Sequence, residues 1–215
     1  MANTSISRQG QIFDDHSNAN IHLYFASYND IDDLYNVINW AYRGKPSAVS
    51  PEEVYSGWIS EQHLLTGNRI TPDELRELIA DEQNTVILVA KLNTSSESKI
   101  VGCCKVVTCD KNLQIDDEEK DDTAVEFGLY AVDPDYQSQG IGTLLFNGAI
   151  RIAKEYFNAQ RMYALILSIK QNQLEWHLRQ GFIDTKRVLP FPFSERYKAI
   201  VDPDKIKFSV LTKRL

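Results

Sequence analysis

Cysteine is scarce and poorly placed for cross-linking: three in 215 residues, two of them adjacent. That excludes a disulfide framework, and none of the three shows metal-ligand spacing, so no metal is expected. Cys103 and Cys104 would point to opposite faces of a strand. Positive charge is also short, 23 Lys and Arg against 30 Asp and Glu, a net charge of -7. Nucleic-acid partners, which need clustered basic residues, are therefore not expected. The balance favours cationic ligands only weakly, because surface fields are screened over about 8 Å at physiological salt. No uncharged run reaches the ~20 residues needed to cross a bilayer, so no membrane partner is expected. The first twenty residues lack the apolar run of a signal peptide, and Ala2 excludes N-myristoylation. A reducing compartment follows, the cytoplasm with the nucleus as alternative.

What is present is a globular composition, 43% hydrophobic and 25% charged, enough for a sizeable core. Residues 1–20 are polar and read as a loose tail, and residues 21–215 as a single domain. A first strand is expected at 21–27. A helix follows, capped by Asn29 or Asp30, burying Ile31, Leu34, Tyr35, Ile38 and Trp40 and failing near Gly44 and Pro46. Residues 47–70 carry Trp58, Ile59, Leu64 and Leu65 and read as a packed excursion with a short helix. Thr71-Pro72-Asp73-Glu74 is a helix start with a capping box, feeding Leu75, Leu78 and Ile79 to the core.

Strands are expected at 85–92, 99–108, 123–132 and 161–169, and helices at 140–157 and 171–180. Further strands are expected at 182–189 and 206–211, the last as an edge. The acidic stretch 110–122 reads as a solvated loop tip. The element order is mixed α/β (α+β) rather than a doubly wound repeat.

Chemistry concentrates after the strand ending at Val132. Asp133-Pro134 stops pairing, and the chain enters a helix through Gln137-Ser138-Gln139-Gly140-Ile141-Gly142-Thr143. Glycines at 140 and 142 would leave room for an anion against the backbone. The first-turn amides of the helix have no intrahelical partner and lie at the positive end of its dipole, an arrangement suited to a pyrophosphate. A tight turn with close helix packing explains the glycines equally well.

Gln137-x-x-Gly140-x-Gly142, after a strand ending Tyr130-Ala131-Val132-Asp133-Pro134, closely resembles motif A of the GNAT acetyltransferase superfamily. Leu174-x-x-x-His177-x-x-x-Gly181-Phe182 is similar to its motif B. The resemblance covers residues 21 to 215 and implies a twisted, mostly antiparallel sheet flanked by helices, its fourth and fifth strands splayed around acetyl-CoA as co-substrate. It further implies that the backbone of Tyr130, Ala131 and Val132 pairs with the pantetheine arm, and that amides from Ser138 to Thr143 wrap the pyrophosphate. Asn172 lies near a position where some members hold pantetheine.

Glu126 matches the general-base glutamate of certain members, and partial burial would make it a better proton acceptor. It could equally be a strand carboxylate paired with a lysine. His177 stands where many members carry a Tyr that protonates the CoA sulfur; imidazole can donate a proton, though a lone helical His is more often structural. Glu61 is a candidate for a cationic amine, and Phe191 and Phe193 for walls of the acceptor pocket. Tyr42 and Trp58 read as packing, Arg43 and Arg69 as ion-pair partners. The implied activity is acetyl transfer to a primary amine by direct attack in a ternary complex, with a small-molecule acceptor. A protein N-terminus or lysine, and a non-catalytic CoA-binding module, are the alternatives. Oligomeric state is open.

Overall fold

The central strands owe their position to alternation. In the run from Thr85, Val86, Leu88 and Ala90 pack with one apolar cluster and Ile87 and Val89 with another, so both faces are covered. The computed structural model describes residues 8–14, 20–46, 54–55, 57–109, 113 and 123–215. In chain order its elements are β1 (Ile12–Asp14), β2 (Ile21–Phe25), α1 (Ile31–Arg43), β3 (Lys45–Pro46), β4 (Val54–Tyr55), α2 (Pro72–Ala80) and β5 (Thr85–Asn93). There follow β6 (Ser98–Thr108), β7 (Ala124–Val132), α3 (Ile141–Glu155), β8 (Arg161–Leu167), α4 (Gln171–Arg179), β9 (Ile183–Pro190) and β10 (Lys207–Arg214). An eight-stranded sheet runs β1-β2-β5-β6-β7-β8-β10-β9. Every neighbouring pair is antiparallel except β7 and β8.

Helices α1 and α2 cover one face through Leu34, Ile38, Leu75 and Ile79; α3 covers the other through Leu145, Ala149 and Ile152. Cys103 joins the first layer and Cys104 the second, as their adjacency predicts. The start of α2 is the expected capping box: Thr71 Oγ1 accepts from the Glu74 amide, and Glu74 Oε2 accepts from the Thr71 amide at 2.8 Å.

Four expectations change. The polar stretch 1–20 contains β1, which pairs with β2, and Arg8 donates to the Glu82 carbonyl at 2.6 Å; Phe13 supplies the apolar side chain that docks against Phe25 and Tyr156. Residues 1–7 and 15–19 lie outside the described residues. Among described residues 57–70 there is no helix. The excursion is instead tied to the chain after β9, through a Leu65–Ala199 bridge and bonds from the Thr66 amide to Lys198 and from the Ile200 amide to Leu64. The last strand is interior, because β10 inserts beside β8 and buries Val210 and Leu211, leaving β9 as the edge with Ile183 and Val188 exposed. Trp40 is only half-buried, its ring facing Lys45 Nζ at 4.5 Å. The acidic stretch 110–122 lies outside the described residues apart from Leu113.

Arg196 clamps this returning segment onto α2 with two bonds to Glu74, at 2.6 and 2.7 Å. That pairing first, with Thr71 assisting against burial, pulls the Glu74 pKa down to about 2. A depressed carboxylate stabilises the fold above its unfolded pKa, and the contribution disappears as pH falls through the folded value. Glu74→Gln is therefore expected to lower stability at pH 7 by roughly 1 kcal/mol or less, given the pair's partial exposure. Urea unfolding of the two proteins should converge as pH falls from about 4.5 toward about 2; a gap that persists there removes the ion pair as its cause.

Candidate active site

The turn after β7 is braced by a buried charge. Asp133 is fully buried, receives Lys45 Nζ at 2.8 Å, and accepts the Asp135 amide at 3.1 Å. The chain then passes a 3-10 turn at Pro134–Tyr136 and two left-handed residues, Ser138 (φ 62°) and Gly140 (φ 81°). Gly140 stands at the N-cap of α3 with no side chain closing the helix end. The first-turn amides are thus left to an outside acceptor, at the positive pole of a fifteen-residue helix.

They border a cavity of about 280 Å³ lined by Gln137, Ser138, Gly140, Ile141, Gly142 and Thr143, with Tyr130 and Val132 from β7. Gln139 is exposed beside this lining, Ala131 is buried toward α1, and Asn172 is exposed on α4 away from both cavities. The two glycines serve different ends. Gly140 supplies the left-handed backbone, and a Cβ there would meet nothing, whereas a Cβ on Gly142 would collide with Tyr130 Oη. Crowding from the Tyr130 side chain therefore favours a small residue at position 142.

The second element is a wedge. β7 and β8 pair only from Ala124–Arg161 to Phe127–Ala164 and then separate. Leu129 sits just past that point at φ 44°, where the register of β7 against β6 also slips. Beyond it, Leu129 and Tyr130 on one side and Leu165, Ile166 and Leu167 on the other line a second cavity of about 180 Å³. Trp58, Ile59 and Tyr130 border both cavities, so the two adjoin. Tyr130 stacks on Trp176 at 5.3 Å, and Trp58 meets Trp176 edge-on at 6.0 Å. Gln137 links the walls: its Nε2 donates to the Val132 carbonyl at 3.2 Å, and its Oε1 accepts the Trp58 amide at 3.0 Å.

Glu126 and His177 both line the wedge cavity. Glu126 lies 3.4 Å from Lys105 Nζ. His177 is 3% exposed among Phe127, Trp176 and Phe182, and burial pushes its pKa down to about 4. Its Nδ1 lies 2.8 Å from the Gln173 carbonyl, which only an N–H can satisfy. The ring is therefore neutral at pH 7 with its hydrogen on Nδ1.

Charged groups at the far end of the cavity are already paired. Glu61, buried, bonds Arg43 Nη1 at 2.7 Å, so it does not stand free for a cationic amine. Arg69 lies 5.0 Å from the Tyr42 ring. Burial pulls the Arg69 pKa down, but neighbouring Tyr42, Glu61 and Tyr197 outweigh it and hold the guanidinium charged. The Tyr42 pKa is raised to about 12 by burial. Phe191 lines the cavity with Phe193 packed behind it at 5.0 Å. Gln173, Tyr197 and Phe208 line it without having been singled out in the sequence; the i, i+4 spacing of Gln173 and His177 was the one available signal.

The acetyltransferase (GNAT) family profile matches residues 51–182, more than half of the chain. This chain belongs to the GNAT acetyltransferase family. Similar solved structures include a GNAT acetyltransferase from Streptococcus pneumoniae, at 15% identity and TM-score 0.56, covering 91% of this chain and 99% of that one. A mutant of the spermidine N-acetyltransferase SpeG from Vibrio cholerae matches at 14% identity and TM-score 0.59, covering 92% and 95%. No curated protein matches the sequence. At these identities the structural matches establish the GNAT fold, a mostly antiparallel sheet flanked by helices.

Two measurements probe this site in the GNAT frame. Gly142→Ala is expected to cost about 1–3 kcal/mol by forcing Tyr130 aside. Combining it with Tyr130→Phe should recover part of that loss in a double-mutant cycle; additivity would show that the two do not touch. A buried His with a depressed pKa resists protonation in the fold while the unfolded chain accepts it. Stability therefore falls as pH drops from about 6.5 to about 4. His177→Asn keeps a donor for the Gln173 carbonyl without titrating, and should flatten that loss in urea titrations between those limits.

Proposed function

We propose that this GNAT member transfers an acetyl group from acetyl-CoA to a primary amine by direct attack in a ternary complex. One observation carries the reading: the uncapped opening of α3 faces a cavity that runs into the stretch of β7 that β8 leaves unpaired. Those groups suit the two ends of acetyl-CoA, amides for the pyrophosphate and a strand edge for the pantetheine amides. Amides from Ser138 to Thr143, positioned by Gln137 and Gly140, would hold the phosphates, and backbone groups from Tyr130 to Val132 would align the arm. Asn172 is assigned no contact with it.

When bound, acetyl-CoA supplies an acyl carbon with a thiolate leaving group. The side chain of Glu126 is assigned the proton that the amine sheds as its nitrogen bonds that carbon and the C–S bond breaks. The thiolate takes one proton from solvent, so the exchange balances. The proton-donor role expected for His177 suits a ring with hydrogen to spare. Because its Nδ1 hydrogen is committed to the Gln173 carbonyl, we place His177 as a positioning group holding α4 against the wedge.

The modest cavity volume, at or below the lower end of ligand clefts, favours a small-molecule acceptor over a protein N-terminus or lysine. We further place residues 21–215, together with the β1 strand that completes their sheet, as one catalytic domain acting in the cytoplasm. Its three cysteines would stay reduced there.

Calorimetry with acetyl-CoA tests the coenzyme assignment directly, and absence of binding overturns it. Glu126→Gln should lower kcat for amine acetylation about 10²–10⁴-fold, followed as thiol release, with acetyl-CoA affinity kept. An unaltered kcat would take Glu126 out of the mechanism.

A further inference from the structure

The acceptor end of the wedge carries an imbalance that acetyl transfer alone does not explain. Arg43 uses Nε on the Gly67 carbonyl at 2.6 Å and Nη1 on Glu61 at 2.7 Å, while its Nη2 is buried with no partner. Gln173, 7% exposed on α4, likewise has a buried Nε2 with no partner. Both residues line the cavity of about 180 Å³ in the wedge. A buried donor left unmade costs roughly 1–3 kcal/mol, so two around one cavity call for an incoming acceptor oxygen.

The charge inventory points the same way. Of the two carboxylates lining this cavity, Glu61 is bound by Arg43 and Glu126 lies against Lys105. Lys170 donates to the Ser60 carbonyl at 2.5 Å, beside Glu61, and Arg69 adds a further charged guanidinium to the wall. No lining carboxylate is left over for the second or third ammonium group of a polyamine. Most of the remaining wall is apolar, including Leu129, Leu165, Leu167, Phe191 and Phe208.

We propose that the acceptor is a free amino acid with an apolar side chain, its carboxylate received by Arg43 and Gln173 while its amine faces the wedge. This rests on the acetyltransferase reading and narrows it to a class of amine. The carboxylate fixes the molecule, the apolar wall takes the side chain, and the amino group, once neutral, is acetylated with loss of one proton. A site built around such a donor pair discriminates strongly against an analogue lacking the matching group.

The test compares L-phenylalanine, L-leucine, phenethylamine, an amidated phenylalanyl peptide and spermidine in thiol-release assays with acetyl-CoA and the full chain. The free amino acids are expected to exceed the carboxylate-free amines about tenfold or more in kcat/KM. Gln173→Met, close in size, should bring the ratio of phenylalanine to phenethylamine down toward one; Arg43→Lys, which keeps the charge beside Glu61, should lower it too.

Calorimetric titration of N-acetylphenylalanine and N-acetylphenethylamine gives a readout independent of turnover and decides the matter should no acceptor be acetylated. About tenfold tighter binding of the carboxylate supports the inference. Equal affinities, or spermidine, phenethylamine or the amidated peptide as the better acceptor, overturn it while leaving the transferase reading intact. Failure to bind acetyl-CoA overturns the transferase reading and this one with it.

Discussion

The separation of β7 from β8 is the constraint from which the rest of the site follows. Strand edges inside a sheet carry backbone groups that are costly to bury unpaired, and sheets normally close such gaps. Here pairing stops after Phe127, next to the left-handed Leu129, and the gap is occupied by cavity rather than by another strand. A GNAT enzyme therefore keeps a ready strand edge at the middle of its sheet, with the opening of α3 at one end and the wall bearing Arg43, Glu61 and Arg69 at the other. The register slip at Leu129 is strain that the neighbouring β6–β7 pairing is extensive enough to hold.

Electrostatics divides this wedge into unlike ends. The end at the opening of α3, proposed for the coenzyme, offers main-chain amides, and neither lysine nor arginine is among the residues lining it. The wall bearing Arg43, Glu61 and Arg69 is dense in formal charge, but the carboxylates lining this cavity are matched by cations within the protein. Between them lies an aromatic partition of Trp58, Trp176 and Tyr130. His177 belongs to that partition by packing, and its low pKa is the expected result of placing an imidazole among aromatic rings.

Local chemistry was readable in the sequence and distant pairing was not. The Thr71-Pro72-Glu74 box, the helix opening at Gly140 and the strand from Thr85 are each encoded within a few residues, and they appear where expected. Residues 57–70 carry enough hydrophobic side chain to suggest a helix, yet backbone bonds at Leu64 and Thr66 go to residues more than a hundred positions away, which no local pattern reveals. The interior place of β10 was hidden for the same reason, since alternation does not say which strand will be its neighbour. The contact that Tyr130, twelve residues earlier, would make with a Cβ on Gly142 was not legible. Glu61 was a candidate for a cationic amine, and its pairing with Arg43, eighteen residues earlier, was equally hidden.

One side chain, Gln137, carries a consequence for the order of events. Its amide joins the Val132 carbonyl on one side of the groove to the Trp58 amide on the other. An occupant that takes the Val132 carbonyl from this amide would cost the segment bearing Trp58 and Glu61 a tether. Loading of one compartment would then be felt by the wall of the next, and reciprocity would require that occupancy of the second act back on the first. One amide thus ties the walls of two adjoining compartments together.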